Sequence, residues 1–386
     1  MEEPKDEVKH DSKEGTKVEE KKKKKLKPIT IVTIVVIALI LGFAGFVIYK
    51  RYFAKEKSAS IFNLKKPTAV TVANDLDGTK VDPELAKRHP LAIMVENYPD
   101  SRPQSGLDKA SIIYESMTEG GITRFMAVYG PYDAPKVGPT RSARTYFVDW
   151  AAEFKAFYAH VGGNLDALDK IKTDGILDLD QFGLGETAYY REPKAGIATE
   201  HTMYTSTDKL YKYAFETKKW PKEGSFKALK FTEPVAQEIR TSGQSITIDF
   251  SSASYLVSWK YDKEKNVYLR SLAGSAHTDN LSGQQLSGTN IIVQAVERWD
   301  SPTSINESGY AMKTVGTGKA LIFSDGKQTT GTWSKTDRTS RTVFLDDMGK
   351  EISFIPGQFW IEIVPPDIFD KVKVEQQVSP TTTTTK

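Results

Sequence analysis

No cysteine occurs among the 386 residues, and this one absence removes disulfides, thiolate nucleophiles, cysteine-ligated zinc, iron–sulfur clusters and a lipid-modified N-terminal cysteine. Histidine is scarce, with five in the chain. An excess of one charge sign is missing as well. The formal net charge is +3, and residues 1–28 hold ten of the 53 basic and eight of the 50 acidic residues, which leaves 43 against 42 from Lys50 onward. A nucleic-acid-binding domain carries a basic excess on its folded part, so no nucleic-acid partner is expected. The phosphate-cradling Gly-x-Gly-x-x-Gly, the Walker lysine loop and the zinc-binding His-Glu-x-x-His are absent, and neither Ser105 nor Ser142 sits in a nucleophile elbow. No cofactor and no metal site are expected.

What is present begins with residues 1–28, so poor in apolar side chains that they cannot offset chain entropy and are expected to be disordered. They end in the run Lys21 to Lys25 and Lys27. Residues 29–49, ITIVTIVVIALILGFAGFVIY, then run twenty-one positions without a charge. At about 1.5 Å per residue such a helix crosses a hydrocarbon core of roughly 30 Å. The apolar region of a cleaved signal peptide is shorter, about 7 to 15 residues, so the expectation is an uncleaved signal anchor. Lysines crowd its N-terminal side more heavily than Lys50, Arg51, Lys55 and Lys57 crowd the other. The positive-inside rule therefore predicts a single-pass protein with a cytoplasmic N-terminus and residues 50–386 outside the membrane.

Residues 50–84 read as a linker. From 85 to 222, short apolar strands (91–95, 111–117 and 122–129) alternate with helical patterns, which predicts an α+β or α/β domain. One helix is expected to start between Thr140 and Ser142, because Tyr146, Phe147, Trp150, Ala151 and Phe154 recur at steps of three and four. Asn164 is placed to cap the next helix, and Ser206 or Thr207 a third. Residues 225–368 are dominated by strand-like runs, a β-rich second domain in which Trp259, Trp333 and Trp360 read as core. The segment 369–386 reads as a disordered tail.

The stretch 137–164 holds the candidate site. Arg141 and Arg144 are expected in a helix first turn, where the macrodipole disfavours a cation by roughly 0.3 to 1 kcal/mol. Either they receive an anion together with the helix N–H groups, or they pair with Glu115, Glu119 or Asp149, and Arg102 and Arg124 can join either network. His160 ends a strand before Gly162 and Gly163, the usual ligand side of an α/β sheet. With His201 and a carboxylate it could form an acid–base pair or a metal site, and packing or capping is the plainer use of each histidine. His277, Thr278 and Asp279 read more simply as a turn than as ligands.

Four motifs in combination, RPQSGLDKASIIYE (102–115), EGGITRF (119–125), VGPTRSAR (137–144) and AHVGG (159–163), resemble the YerB-like family of bacterial "putative lipoproteins", a family defined by a domain of unknown function. WKYDKEKNVYLR (259–270), HTD (277–279) and TWSK (332–335) resemble its β-rich C-terminal companion, and the resemblance spans residues 88–365. It implies an envelope-facing protein of Gram-positive-type bacteria with no established reaction. Two departures matter. The apolar span stands where that family has its lipid-modified cysteine, and EHTMY (200–204) alters the family's Pro-His-Asn-Tyr motif, which weakens a role for His201.

Two functional readings follow. In the first, a membrane-anchored binding or scaffolding protein of the cell envelope recognises an anionic or cell-wall ligand, or a protein partner, through Arg102, Arg124, Arg141, Arg144 and Asn164. In the second, an envelope hydrolase or transferase uses His160 and Glu115 as catalytic groups on an anionic or glycan substrate. The discriminating geometry is whether these side chains line one open pocket or are closed into buried ion pairs.

Overall fold

The computed structural model describes residues 39, 41–47, 70–306 and 308–377, and the chain divides into two units, 1–68 and 69–386. In the first unit the described residues are helical, and Leu39, Leu41, Phe43, Phe46 and Val47 are exposed. Among the described residues no helix is long and apolar enough to cross a membrane. The rest of the span expected at 29–49, and the expected disorder of 1–28, lie outside the described residues.

Two sheets organise the second unit. Its principal strands, in chain order, are β1 (Leu91–Glu96), β2 (Ile112–Met117), β3 (Thr123–Tyr129), β4 (Phe157–His160), β5 (Leu177–Asp180), β6 (Gln244–Asp249), β7 (Leu256–Asp262) and β8 (Val267–Leu272). They continue as β9 (Ser275–Ala276), β10 (Ser287–Gly288), β11 (Asn290–Ala295), β12 (Gly316–Ser324), β13 (Lys327–Lys335), β14 (Val343–Leu345), β15 (Phe359–Val364) and β16 (Lys373–Gln376). Three helices bear on the site: α1 (Thr145–Ala152), α2 (Leu165–Thr173) and α3 (Thr207–Lys212).

A ten-stranded mixed sheet runs β14-β13-β12-β11-β15-β2-β3-β1-β4-β5. Strand β15, from the C-terminal part of the chain, lies parallel between β11 and β2, so the β-rich segment and the segment before it share one sheet. The mixed α/β architecture with a β-rich C-terminal part is as expected. A second, antiparallel sheet, β9-β8-β7-β6-β16 with β10 on β8, covers one face of the first.

Side-chain parity explains the layering. Leu91, Ile93 and Val95 of β1 share a core with Ile246, Trp259 and Tyr268 of the second sheet and with Leu210 and Tyr211 of α3. Ala92 and Met94 point the other way, against Tyr146, Phe147 and Trp150 of α1. Burial on both faces is why β1 reads as an unbroken apolar run, whereas β6, QSITID, alternates buried and partly exposed positions.

Three expectations change. Helix α1 begins at Thr145, not at 140–142, because residues 137–144 are extended and bridge Thr205, Val95 and Gly163 through Val137, Thr140 and Ala143. Part of the stretch read as a linker is ordered: Val72–Ala73 pairs with Lys80–Val81. The turn between them is closed by Asn74 and Asp77, whose side chains accept from the Leu76 and Thr79 amides at 3.0 Å, as Asx residues do. The segment read as a disordered tail supplies β16, paired with β6 through residues 373–376, and 378–386 lie outside the described residues. Strand β13, KQTTGTWSK, lacked an apolar signal because its first half is exposed.

Candidate functional site

The extended run 137–144 passes over the ends of β1 and β4. Arg141 N donates to Met94 O at 3.0 Å and Ala143 N to Gly162 O at 2.9 Å, while Arg141 O accepts from Val161 N at 3.1 Å. Its amides are therefore spent on neighbouring backbone, and Arg144 is the extended N-cap of α1 rather than a first-turn residue. The conflict with the macrodipole does not arise.

Each expected site residue then has a definite place. Arg144 grips Glu119 through Nε and Nη2, at 2.6 and 2.7 Å. Burial opposes the Glu119 charge, yet this bidentate contact and the Arg144 charge hold its pKa below the ordinary value. Arg124 is buried and donates to Ser142 O at 2.8 Å; burial first, and the Arg144 charge next, push it down to about 10. His160 is wholly buried, with Nδ1 2.8 Å from Gly162 O and Nε2 3.0 Å from Asp178 Oδ1. Asn164 Oδ1 accepts from Ala167 N at 3.1 Å and caps α2. Asn164→Ala is expected to cost about 1 kcal/mol in thermal or urea unfolding, with no further loss from ligand contacts.

Glu115 is drawn into the interface between the sheets. Arg270 of β8, fully buried, meets Glu115 through Nη2 and Glu362 through Nη1, the latter at 2.8 Å. Its Nε donates to His277 Nδ1 at 3.0 Å, and its guanidinium carbon lies 4.5 Å from the Trp360 ring centre. Thr123 Oγ1 and Asn97 Nδ2 also donate to Glu115, and Asn97 Oδ1 accepts from Arg102 Nε at 3.0 Å. Arg102 spends Nη1 on Ser254 O and Nη2 on Asn97 O. His277 and Asp279 serve the fold: the ring contacts Gln104, and the carboxylate accepts from Gly106, Leu281 and Ser282 amides. These side chains thus do not line one pocket. Glu115 is closed into buried contacts, and Arg124, Arg144 and His160 into part-buried ones, while Arg141 and Arg102 reach two separate cavities.

The first cavity, an open cleft of about 520 Å³, lies beyond the carboxyl ends of β4 and β5. Arg141, Arg191, Asp180 and Glu200 line it with Val161, Leu168, Phe182 and Met203. Gly162 turns the chain at φ +56, a conformation that favours glycine, beneath the exposed Phe182 ring. Arg141 Nε faces buried Glu96, while its Nη2 meets Glu200 at 3.4 Å, and Glu200 is 57% exposed. The second cavity, about 310 Å³, is lined by Arg102, Lys136, His201, Thr202 and Asn280 among others. His201 Nδ1 lies 3.4 Å from the same Glu96 carboxylate, and its ring stacks on Tyr98 at 4.8 Å.

Glu96, Glu200 and Arg191 join the site without any sequence motif to single them out. Glu96 carried a usable signal, a carboxylate closing the apolar run LAIMVE, which at a strand end needs a cation. Arg191 and Glu200 carried none. Among the described residues no group of three or more histidine, aspartate or glutamate side chains is arranged to hold a metal ion.

Residues 76–221 match the family model described as "Protein of unknown function (DUF3048) N-terminal domain", and residues 246–361 match the corresponding C-terminal domain. The chain is 32% identical over 305 residues to "Putative lipoprotein YerB" of Bacillus subtilis (strain 168), covering 77% of this chain and 88% of that protein. It is similar to the crystal structure of YerB protein from Bacillus subtilis, with a TM-score of 0.69 and 29% identity, over 79% of this chain and 99% of that one. Both family domains occur in order and the resemblance drawn from the motifs holds across most of the folded unit, so the chain belongs to the YerB-like DUF3048 family.

Proposed function

We propose that this chain is a membrane-attached, extracytoplasmic binding module of the bacterial cell envelope, whose ligand presents a carboxylate to Arg141. The observation that carries the reading is a guanidinium committed on one side only. Glu96 fixes Arg141 from within, and the side turned to the cleft meets just the more than half exposed Glu200 at 3.4 Å. An exposed ion pair of that kind contributes about 0–1 kcal/mol. A ligand carboxylate making a bidentate contact forms stronger charge-assisted hydrogen bonds and displaces it.

The apolar wall of Val161, Leu168, Phe182 and Met203 supplies the remaining grip, in the manner of sites that pair apolar lining with a few polar groups. A hydrolase or transferase needs a reactive acid–base group in reach of substrate, and His160 and Glu115 are both fully buried. The relative from Bacillus subtilis is named a putative lipoprotein. In a chain with no cysteine to acylate, the apolar run at 29–49 would provide membrane attachment as a single-pass anchor, with the N-terminus cytoplasmic.

The test is titration of the full chain in detergent micelles with soluble cell-wall peptides bearing a free carboxylate. Arg141→Ala is expected to weaken binding ten- to one-hundred-fold, since a hydrogen bond to a charged group contributes about 1.5–3 kcal/mol. Arg191→Ala is the second variant, because Arg191 is exposed and its truncation removes a single exposed hydrogen bond, to Thr199 O. It is expected to weaken binding several-fold. Unchanged affinity in both variants rejects the carboxylate site.

A further inference from the structure

The cleft and the second cavity share a wall, the arm from Tyr190 to Tyr204. Its strand pairs, Tyr190 with Tyr204 and Arg191 with Met203, put successive side chains on opposite sides. Arg191, Glu200 and Met203 line the cleft, while Glu192, His201, Thr202 and Tyr204 line the second cavity. Glu200 and His201 are adjacent on one turn (Thr199–His201), so the two spaces come within a single residue, about 3.8 Å between Cα atoms.

Beneath that turn both spaces rest on one carboxylate. Glu96, 2% exposed, faces Arg141 Nε from the cleft side and His201 Nδ1 from the other. His201 is itself 92% buried, its exposure being 8%, and Nδ1 has no hydrogen-bond partner. Tyr98, stacked on the ring, fixes its plane. With the buried Glu96 carboxylate on its Nδ1 side and the Tyr98 ring stacked on it, the imidazole is held in place as part of the wall of the second cavity.

We infer that the ligand is a peptide, with its free carboxylate on Arg141 and its preceding residues crossing the Glu200–His201 turn into the second cavity. This inference rests on the carboxylate reading above and names its ligand class. Three features favour a peptide. The cleft sets two guanidinium groups beside two carboxylates and four apolar side chains, a mixture that suits residues of alternating character. A polyanion would be repelled by Asp180 and Glu200, and a neutral glycan has no use for the guanidinium groups. The second cavity offers Thr202, Asn280 and His201 as hydrogen-bonding groups together with Lys136, Lys194, Asp100 and Glu192. An extended peptide advances about 3.3–3.6 Å per residue, so a short peptide crosses a turn on which adjacent residues line the two spaces.

The experiment titrates the full chain in detergent micelles with an N-acetylated amino acid, an N-acetylated tetrapeptide and the tetrapeptide amide, each ending in D-alanine, and with a carboxylate-free cell-wall disaccharide. The tetrapeptide is expected to bind at least ten-fold more tightly than the single residue, and its amide at least ten-fold more weakly than the acid. His201→Phe and, at an exposed position, Asn280→Ala are expected to bring the tetrapeptide close to the affinity of the single residue. Equal affinity for the two lengths, or no effect of either variant on the tetrapeptide, overturns the peptide inference while leaving the carboxylate reading standing. Equal affinity for acid and amide overturns the carboxylate reading itself. Tighter binding of the disaccharide than of any peptide overturns both.

Discussion

Arg270→Ala is expected to remove on the order of 3–5 kcal/mol of unfolding stability, the cost of leaving buried charge without its partner. The guanidinium is 0% exposed and faces Glu115 and Glu362, also 0% exposed, so truncation strands two carboxyl groups between the sheets. It also removes the cation from above Trp360 and a donor from His277. Urea unfolding measures the effect, and a loss under about 1 kcal/mol would show that this node does not hold the sheets together. The same site gives a pH dependence. Burial pushes Glu362 up to about 8, helped by Glu115 opposite it in the β2–β15 register and resisted by Arg270. Between the ordinary carboxylate value of 4.5 and about 8, the folded state keeps a proton that the unfolded chain releases. Its stabilising contribution is complete below the lower value and is lost as pH rises through the window. Glu362→Gln is expected to flatten that slope in stability measured from pH 5 to 8.

Much of this was legible in parity, had it been applied to charged residues. Glu115 sits two positions from Ile113 and Met117, Arg270 two from Tyr268 and Leu272, and Glu362 two from Trp360 and Val364, so each shares its face with core residues. In a strand such a charge has either a buried partner or no stable place. What parity does not give is the partner. Arg270 lies 155 residues from Glu115 and 92 from Glu362 in the chain, and it takes both the insertion of β15 beside β2 and the packing of the second sheet, which carries β8, on that pair to bring the three together. The layered α/β core, the caps Asn164 and Ser206 and the core tryptophans were likewise readable, because each is set by local periodicity or local hydrogen bonding. The helix expected to start between Thr140 and Ser142 starts at Thr145, because tertiary pairing holds 137–144 extended. The cleft was not readable at all, since Arg141, Arg191 and Glu200 come together through loops whose course no local pattern dictates.

Glu153→Ala is expected to cost on the order of 3–5 kcal/mol as well, on the opposite face of the ten-stranded sheet. Glu153 follows α1 and accepts from Arg341 Nη1 at 2.7 Å, Thr342 N at 3.0 Å and Thr342 Oγ1 at 2.7 Å, with Lys335 Nζ at 3.3 Å. Lys335 and Arg341 are almost wholly buried, so removing the carboxylate leaves two cations in the core. Burial already lowers the Lys335 pKa, and Glu153 is what chiefly resists the fall. Without Glu153 that lysine gives up its proton more readily in the fold than in the unfolded chain, and stability then rises with pH. The deficit of Glu153→Ala is therefore expected to shrink toward alkaline pH, and Glu153→Ala combined with Lys335→Met to recover part of it at neutral pH. A deficit independent of pH would point to the lost Thr342 contacts instead. In both nodes a carboxylate of the first half, Glu115 or Glu153, meets cations of the second, and β15 fills the sheet between them. It follows that residues 70–224 expressed alone should lack cooperative unfolding, with β2 unpaired on one side and both carboxylates without their cations.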